Sequence, residues 1–265
     1  NHIACEDRTC PSAAGQWQGQ VALMTLKGDV DNLGSLFQQG LAEPTFAKMA
    51  SLSRQMNAFF AIWLPAVCKT EFPNTYTVFA GGDDFFLIGP WRSTQNLAAR
   101  MARDFRTYVA GNPRITFSTG MVMTKPGLPM HTLGIQAEEA LEKAKGGEKN
   151  AAVVFGERVR WGDWHMLESA ASQLERLQST YSLSTGYVYG LLHLIDLAAD
   201  TRDPEHAMWR SRFAYRTRRY VVDKLNPEIR ASAQQDLAEQ LGEKGIAQLG
   251  TRFRIPLFNH FYSQR

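Results

Sequence analysis

Apolar positions along the chain fall into short runs of strand length, separated by longer stretches with helical spacing. Val21-Ala22-Leu23-Met24-Thr25-Leu26 is a continuous apolar run of the kind a sheet buries on both faces. It gives way to Lys27-Gly28-Asp29-Val30-Asp31-Asn32-Leu33-Gly34, and a short helical turn is expected over 35–40. From Pro44 to Lys69, the residues Phe46, Met49, Leu52, Met56, Phe59, Phe60 and Trp63 recur at intervals of three and four. That spacing predicts a long helix with Pro44 in its first turn and the aromatic and Met stripe in the core. Two apolar runs follow, 76–80 and 85–88, split by Gly81-Gly82-Asp83-Asp84. Runs of this length broken by Gly and Asp predict a tight hairpin. Leu97, Met101, Phe105 and Val109 predict a second amphipathic helix over 94–110, with Arg100, Arg103 and Arg106 on its wet side. Residues 115–123 alternate as a strand, 133–145 read as a helix, and 151–155 as the strand that closes the sheet.

Beyond Arg158 the strand signals thin out, and helices are expected over 164–177, 187–199, 204–224 and 227–241. Leu167, Ala170, Leu174 and Leu177 form one buried stripe; Tyr187, Leu191, Leu194 and Ile195 form another. The order β-α-β-β-α-β-α-β, then helices alone, makes the fold class α+β. It predicts a ferredoxin-like palm with one added strand, followed by a small helical bundle. The expected divisions are a tail over 1–20, a palm over 21–157 and a helical domain over 158–265. A chain of 265 residues suits one large domain or two modest ones.

Composition alters this picture little. The chain is 44% hydrophobic and 21% charged, as soluble globular proteins are. A net charge of +3 permits a nucleic-acid partner without requiring one. No apolar run approaches the roughly 20 residues that span a bilayer. The start, Asn1-His2, is not that of a basic and apolar leader, so a cytoplasmic protein is expected. Three Cys argue against a disulfide scaffold and fit a reducing compartment. His165, His193, His206 and His260 show no metal-ligand spacing. Arg210, Arg212, Arg216, Arg218, Arg219 and Lys224 are interleaved with Trp209, Phe213, Tyr215 and Tyr220. Such a mixture suits RNA, an acidic protein subunit, or a solvated helix face.

The chemistry sits in the two acidic stretches. Asp83 and Asp84 repel each other at the hairpin tip, with no Lys or Arg adjacent in sequence. A hard divalent cation, Mg²⁺ or Mn²⁺, relieves that repulsion because it prefers oxygen ligands. Gly81 and Gly82 let a phosphate come close. Side chains alternate along a strand, so Asp29 and Asp31 are expected on one face. Acids at a strand end beside acids at a hairpin tip form the arrangement that holds two metals and a nucleotide triphosphate. The predicted catalytic residues are Asp29, Asp83 and Asp84, with Asp31 as a further candidate ligand.

Lys27 to Gly34 and Phe79-Ala80-Gly81-Gly82-Asp83-Asp84-Phe85 resemble the second palm of the large subunit of type III CRISPR effector complexes, in the III-A (Csm) branch. Residues 137–145, then Gly147-Glu148-Lys149-Asn150, are similar both to that family and to the diguanylate cyclases that share the palm. The resemblance implies synthesis of cyclic oligoadenylate from ATP, switched on by target RNA, inside a complex of crRNA-containing subunits. It implies two Mg²⁺ or Mn²⁺ ions on Asp29, Val30, Asp31, Asp83 and Asp84. It implies nucleotide contacts from Asn32, Leu33, Gly34, Gly81, Gly82, Lys145 and Lys149, the two lysines on the β- and γ-phosphates. The ordinary role of those lysines is compensation of a helix dipole; a polyphosphate carries more negative charge than two cations cancel, which favours the phosphate contact. Cys5 and Cys10 are implied as half of a zinc knuckle, although two thiols do not complete a tetrahedral site.

The chain departs from both families. It has one palm and no His-Asp nuclease pair, so it is expected to bind Mg²⁺–ATP but to make cyclic product poorly unless joined to the missing half. A diguanylate-cyclase-like enzyme is the alternative. Its usual tip carries Glu where this chain has Asp84, and the Phe-Lys and Asn-Asp elements after Asp31 are lacking. A non-catalytic scaffold within the ribonucleoprotein is the third reading.

Overall fold

The computed structural model describes residues 19–39, 45–200 and 207–264. Cys5, Cys10, Pro44 and His206 lie outside them. The chain divides into two compact units after Gly162.

The first unit is built on a six-stranded sheet in the order β2-β3-β1-β4-β5-β6. The strands are β1 (Leu23–Val30), β2 (Tyr76–Gly81), β3 (Asp84–Pro90), β4 (Phe117–Thr124), β5 (Ala151–Val154) and β6 (Glu157–Arg160). β1 is central and pairs antiparallel with β3 and β4. The first four strands have the expected ferredoxin-like arrangement. β5 joins β4 in parallel, and β6 turns back along β5. β6 carries the sheet past residue 157, where the domain boundary is expected from sequence. Glu157-Arg158-Val159-Arg160 offers a single apolar residue, Val159, which is buried, so the strand has almost no hydrophobic signature.

The helices of this unit are α1 (Leu33–Gln39), α2 (Phe46–Ala58), α3 (Leu64–Glu71), α4 (Trp91–Tyr108) and α5 (Met130–Lys145). Thr45 caps α2, its hydroxyl accepting from the Lys48 N–H at 3.3 Å. A π-helical turn, Phe59–Trp63, joins α2 to α3. Phe60 of that turn stacks on Phe85 of β3 at 5.2 Å, and Phe105 of α4 meets Phe117 of β4 at 5.2 Å. On the opposite face, Leu133 and Ala137 of α5 cover Phe86 and Ile88. Both faces of β3 are therefore core, which explains its unbroken apolar run. The expected core stripe holds only in its second half. Met56, Phe59 and Phe60 are buried, but Phe46 is 89% exposed and Met49 is exposed too. Among the described residues α2 packs chiefly on the π-helical turn that follows it, and helical spacing at its start does not become burial. The Cys68 thiol is buried, and burial pushes its pKa up to about 11.

The second unit is helical: α6 (Trp164–Tyr181), α7 (Thr185–Ala199), α8 (Trp209–Tyr220), α9 (Arg230–Leu237) and α10 (Arg254–Ser263), with a π-helical stretch, Ala238–Leu249, continuing α9. Leu167, Leu174 and Leu177 are buried, as are Tyr187, Leu191, Leu194 and Ile195. α10 lies beyond the last helix expected from sequence, which ends at 241. Pro256 is the third residue of the helix, where its missing N–H costs nothing. Several residues of the basic cluster serve contacts inside the unit. Arg210 pairs with Glu243 and lies over Trp209, Arg216 donates to the Gly186 carbonyl at 2.6 Å, and Arg218 lies 3.7 Å from Asp223. Among the described residues, no helix is long and apolar enough to cross a membrane.

Candidate functional site

The pairing of β1 with β3 sets Asp29 directly opposite Asp84. Neighbouring partners in a sheet project to the same face, so two acids 55 positions apart in the sequence become adjacent. Asp83 sits in the β2–β3 turn, and its carbonyl accepts from the Val30 N–H at 2.9 Å. That bond closes the hairpin tip against the end of β1. Asn57, on α2, holds the tip from the other side: its Oδ1 accepts from the Gly82 N–H at 2.8 Å. Gly82 has φ +67, the left-handed region that this turn demands and that glycine enters without strain. Asn57 has no local signature, because its role depends on a contact 25 residues away.

One lysine meets the acid pair, and a second bonds to Asn32, just beyond the end of β1. Lys145, the last residue of α5, sets its Nζ 2.5 Å from Asp29 Oδ2. Lys149 donates to Asn32 Oδ1 at 2.8 Å. Further along the same face, Lys27 pairs with Glu138 of α5.

The electrostatics reflect crowding of like charge. Burial raises the pKa of Asp29 above the usual carboxylate value, against the lowering hydrogen bond and charge of Lys145, while Asp83 and Asp31 raise it further. Burial also raises Asp84, and Asp83 and Asp29 add to it. For Lys145, burial alone would lower the pKa, but the hydrogen bond and charge of Asp29, with Glu142 and Asp31, lift it above the usual value. Each partner favours the charged form of the other, but at Asp29 burial outweighs that pull.

Asp31 departs from expectation. β1 ends at Val30, so the period-two rule no longer applies one residue later. Asp31 turns inward and is 1% exposed. Its Oδ2 accepts from the Thr116 hydroxyl at 2.7 Å and the Asn150 N–H at 2.9 Å, and its Oδ1 from the Ser118 hydroxyl at 2.8 Å. Asp29 and Asp31 therefore do not share a face. Thr116 and Ser118 carry no motif that would have singled them out; Asn150 ends the Gly147-Glu148-Lys149-Asn150 stretch but is not among the predicted site residues.

Asn32 is left-handed, with φ 56, and its carbonyl accepts from the Leu36 N–H at 2.9 Å, starting α1. Leu33 and Gly34 occupy the first turn, where backbone N–H groups have no acceptor within the helix. Among the described residues, no three His, Cys, Asp or Glu side chains form a ready-made metal cage.

The family model of the Cas10/Cmr2 second palm domain matches residues 22–153. The chain belongs to the Cas10 family. A Methanocaldococcus jannaschii protein described as a CRISPR system single-strand-specific deoxyribonuclease Cas10/Csm1 of subtype III-A is 35% identical over 160 residues, which are 51% of this chain and 20% of that protein. A crystal structure of a Csm1–Csm4 cassette in complex with pppApApA matches 91% of the chain and 37% of its counterpart, with a TM-score of 0.67 and 23% identity. A second cassette structure, in complex with cA3, matches 96% of the chain and 39% of its counterpart, with a TM-score of 0.65 and 21% identity. The chain thus spans less than half the length of the Cas10 relatives it matches. The structural likeness runs through both units and supports the α+β fold, palm followed by helices. The diguanylate-cyclase alternative gains nothing from these matches.

Proposed function

We propose that this Cas10 palm binds a metal-complexed ATP and supplies the nucleotidyl-transfer centre for cyclic oligoadenylate synthesis in a type III-A CRISPR interference complex. The observation that carries the reading is the register that sets Asp29 opposite Asp84, beneath Lys145.

The residues suit a hard divalent cation. Both carboxylates are disfavoured as anions by burial and by neighbouring acids, and a bound cation would relieve that cost. Mg²⁺ sites of this class use one or two carboxylates and complete their shell with water and substrate phosphates, so a closed cage of protein ligands is not required. Asp29 and Asp84 would hold the ions, with Asp83 and the Val30 carbonyl at the same end of the sheet. The ions would supply neutralisation of the triphosphate and a lower pKa for the attacking hydroxyl.

The protein's own part is binding and orientation. Lys145 and Lys149 offer ammonium groups to the β- and γ-phosphates. Leu33 and Gly34 offer N–H groups at the start of α1. Asn57 and the Val30 N–H fix the tip that carries Asp83 and Asp84. In the reaction, a ribose hydroxyl of a second ATP displaces pyrophosphate from the α-phosphorus. The cassettes crystallised with pppApApA and with cA3 support adenylate as the unit joined.

The test is incubation of the assembled complex, carrying this palm in its full-length subunit, with each nucleoside triphosphate, Mn²⁺ and target RNA. Mass spectrometry is expected to find rings of adenylate. Cyclic dinucleotides of guanine would reassign the enzyme, and an absence of product would leave a scaffold.

A further inference from the structure

Asp31 lies in a motif of metal-binding acids but has no exposure with which to meet an ion. Three of the roughly four acceptor directions of its carboxylate are filled by Thr116, Ser118 and the Asn150 N–H. The Ser118 hydroxyl in turn accepts from the Ala151 N–H at 3.4 Å. One buried carboxylate thus ties the end of β1 to the start of β4 and to the loop that leads from α5 into β5. Asn150, in that loop, has φ 62, a conformation that a residue other than glycine keeps only where its surroundings enforce it. Its carbonyl is also engaged, by the Trp161 N–H at 3.0 Å. Lys149 precedes Asn150 and bonds to Asn32, which follows Asp31. The chain on either side of the Lys149–Asn32 contact is therefore anchored at one buried group.

We infer that Asp31 is a positioning residue, which sets Lys149 and Asn32 beside the acid pair, and is not a metal ligand. The inference rests on reading that pair as a metal–nucleotide site. Asp31→Asn replaces an acceptor oxygen with a donor NH₂, which one of the three donors must then face. Hydrogen exchange over residues 146–151 should quicken at least tenfold in this variant. ATP affinity in Mn²⁺ should fall by about tenfold, the usual effect of losing a buried supporting partner.

A cycle with Lys149→Ala separates the roles. If Asp31 acts by placing Lys149, Asp31→Asn should cost ATP binding little once Lys149→Ala is present. Full additivity would mean that Asp31 meets the metal or nucleotide directly, and would overturn the inference; so would unchanged exchange over 146–151. If the wild-type chain binds no ATP, the functional reading fails, but exchange still decides whether Asp31 anchors the loop. Should Asp31→Asn fail to fold, Thr116→Val and Ser118→Ala each remove one donor, and faster exchange in both is the expected result.

Discussion

Gly28 offers the sharpest test of how the acids are brought together. It precedes Asp29 on β1 and stands opposite Phe85, which follows Asp84 on β3. A Cβ at Gly28 would lie 2.3 Å from Phe85 Cζ and 2.8 and 2.9 Å from its two Cε atoms. Phe85 is fully buried and cannot move freely, because Phe60 stacks on it at 5.2 Å and Phe117 meets it edge-on at 6.0 Å. Gly28→Ala must therefore drive the ring out of its slot or push β1 from β3. Overpacking of this kind costs about 1–3 kcal/mol, and the depth of the overlap argues for the upper half. For a unit of this size that is a fall in Tm of about 4–12 °C. Phe85→Leu shortens the offending side chain, so the double variant should be close in stability to Phe85→Leu alone, with a coupling energy of about 2–3 kcal/mol. Urea denaturation of the four proteins measures this. Additivity within about 0.5 kcal/mol, or a Gly28→Ala protein as stable as wild type, would refute the argument.

Other consequences are smaller but equally direct. Asn57→Ala leaves the Gly82 N–H without its acceptor; it should cost about 1 kcal/mol in denaturation and weaken Mn²⁺–ATP binding by loosening the tip. Lys145→Met removes the ammonium facing Asp29; calorimetry should show ATP affinity reduced by about tenfold, the effect of about 1.4 kcal/mol of lost charge-assisted contact. His260 is half-buried, and burial lowers its pKa against the opposing pull of Glu175. The folded state therefore favours the neutral ring, and the unfolded chain takes up the proton first. Stability attributable to His260 should be complete above about pH 6.5 and decline as pH falls below it. Urea midpoints across that range should flatten in His260→Gln.

Much of this architecture is legible in the order of residues alone. The Gly81-Gly82-Asp83-Asp84 break between two apolar runs becomes the β2–β3 turn, and Asp29, at the end of the first strand, lies beside it. These features are local, and they carry chemistry because strand and turn are decided by neighbouring residues. What escapes is set at a distance. The exact end of β1 decides that Asp31 points inward, and no pattern around Asp31 reveals it. Phe46 is exposed while Met56, Phe59 and Phe60 are buried, although the same helical spacing runs through all four. Asn57 and Ser118 act through partners far along the chain. The charged strand β6 and the Pro-containing α10 owe their form to packing that outweighs weak local preference.

The most direct test of the account is a titration of the chain with ATP, by calorimetry, with Mg²⁺ and again with EDTA. It should be made on wild type, Asp29→Asn and Asp84→Asn, with Tm recorded for each. Metal-dependent binding by wild type, lost in both variants while each remains folded, is the predicted result. Equal affinity in EDTA, or full affinity in either folded variant, would contradict it.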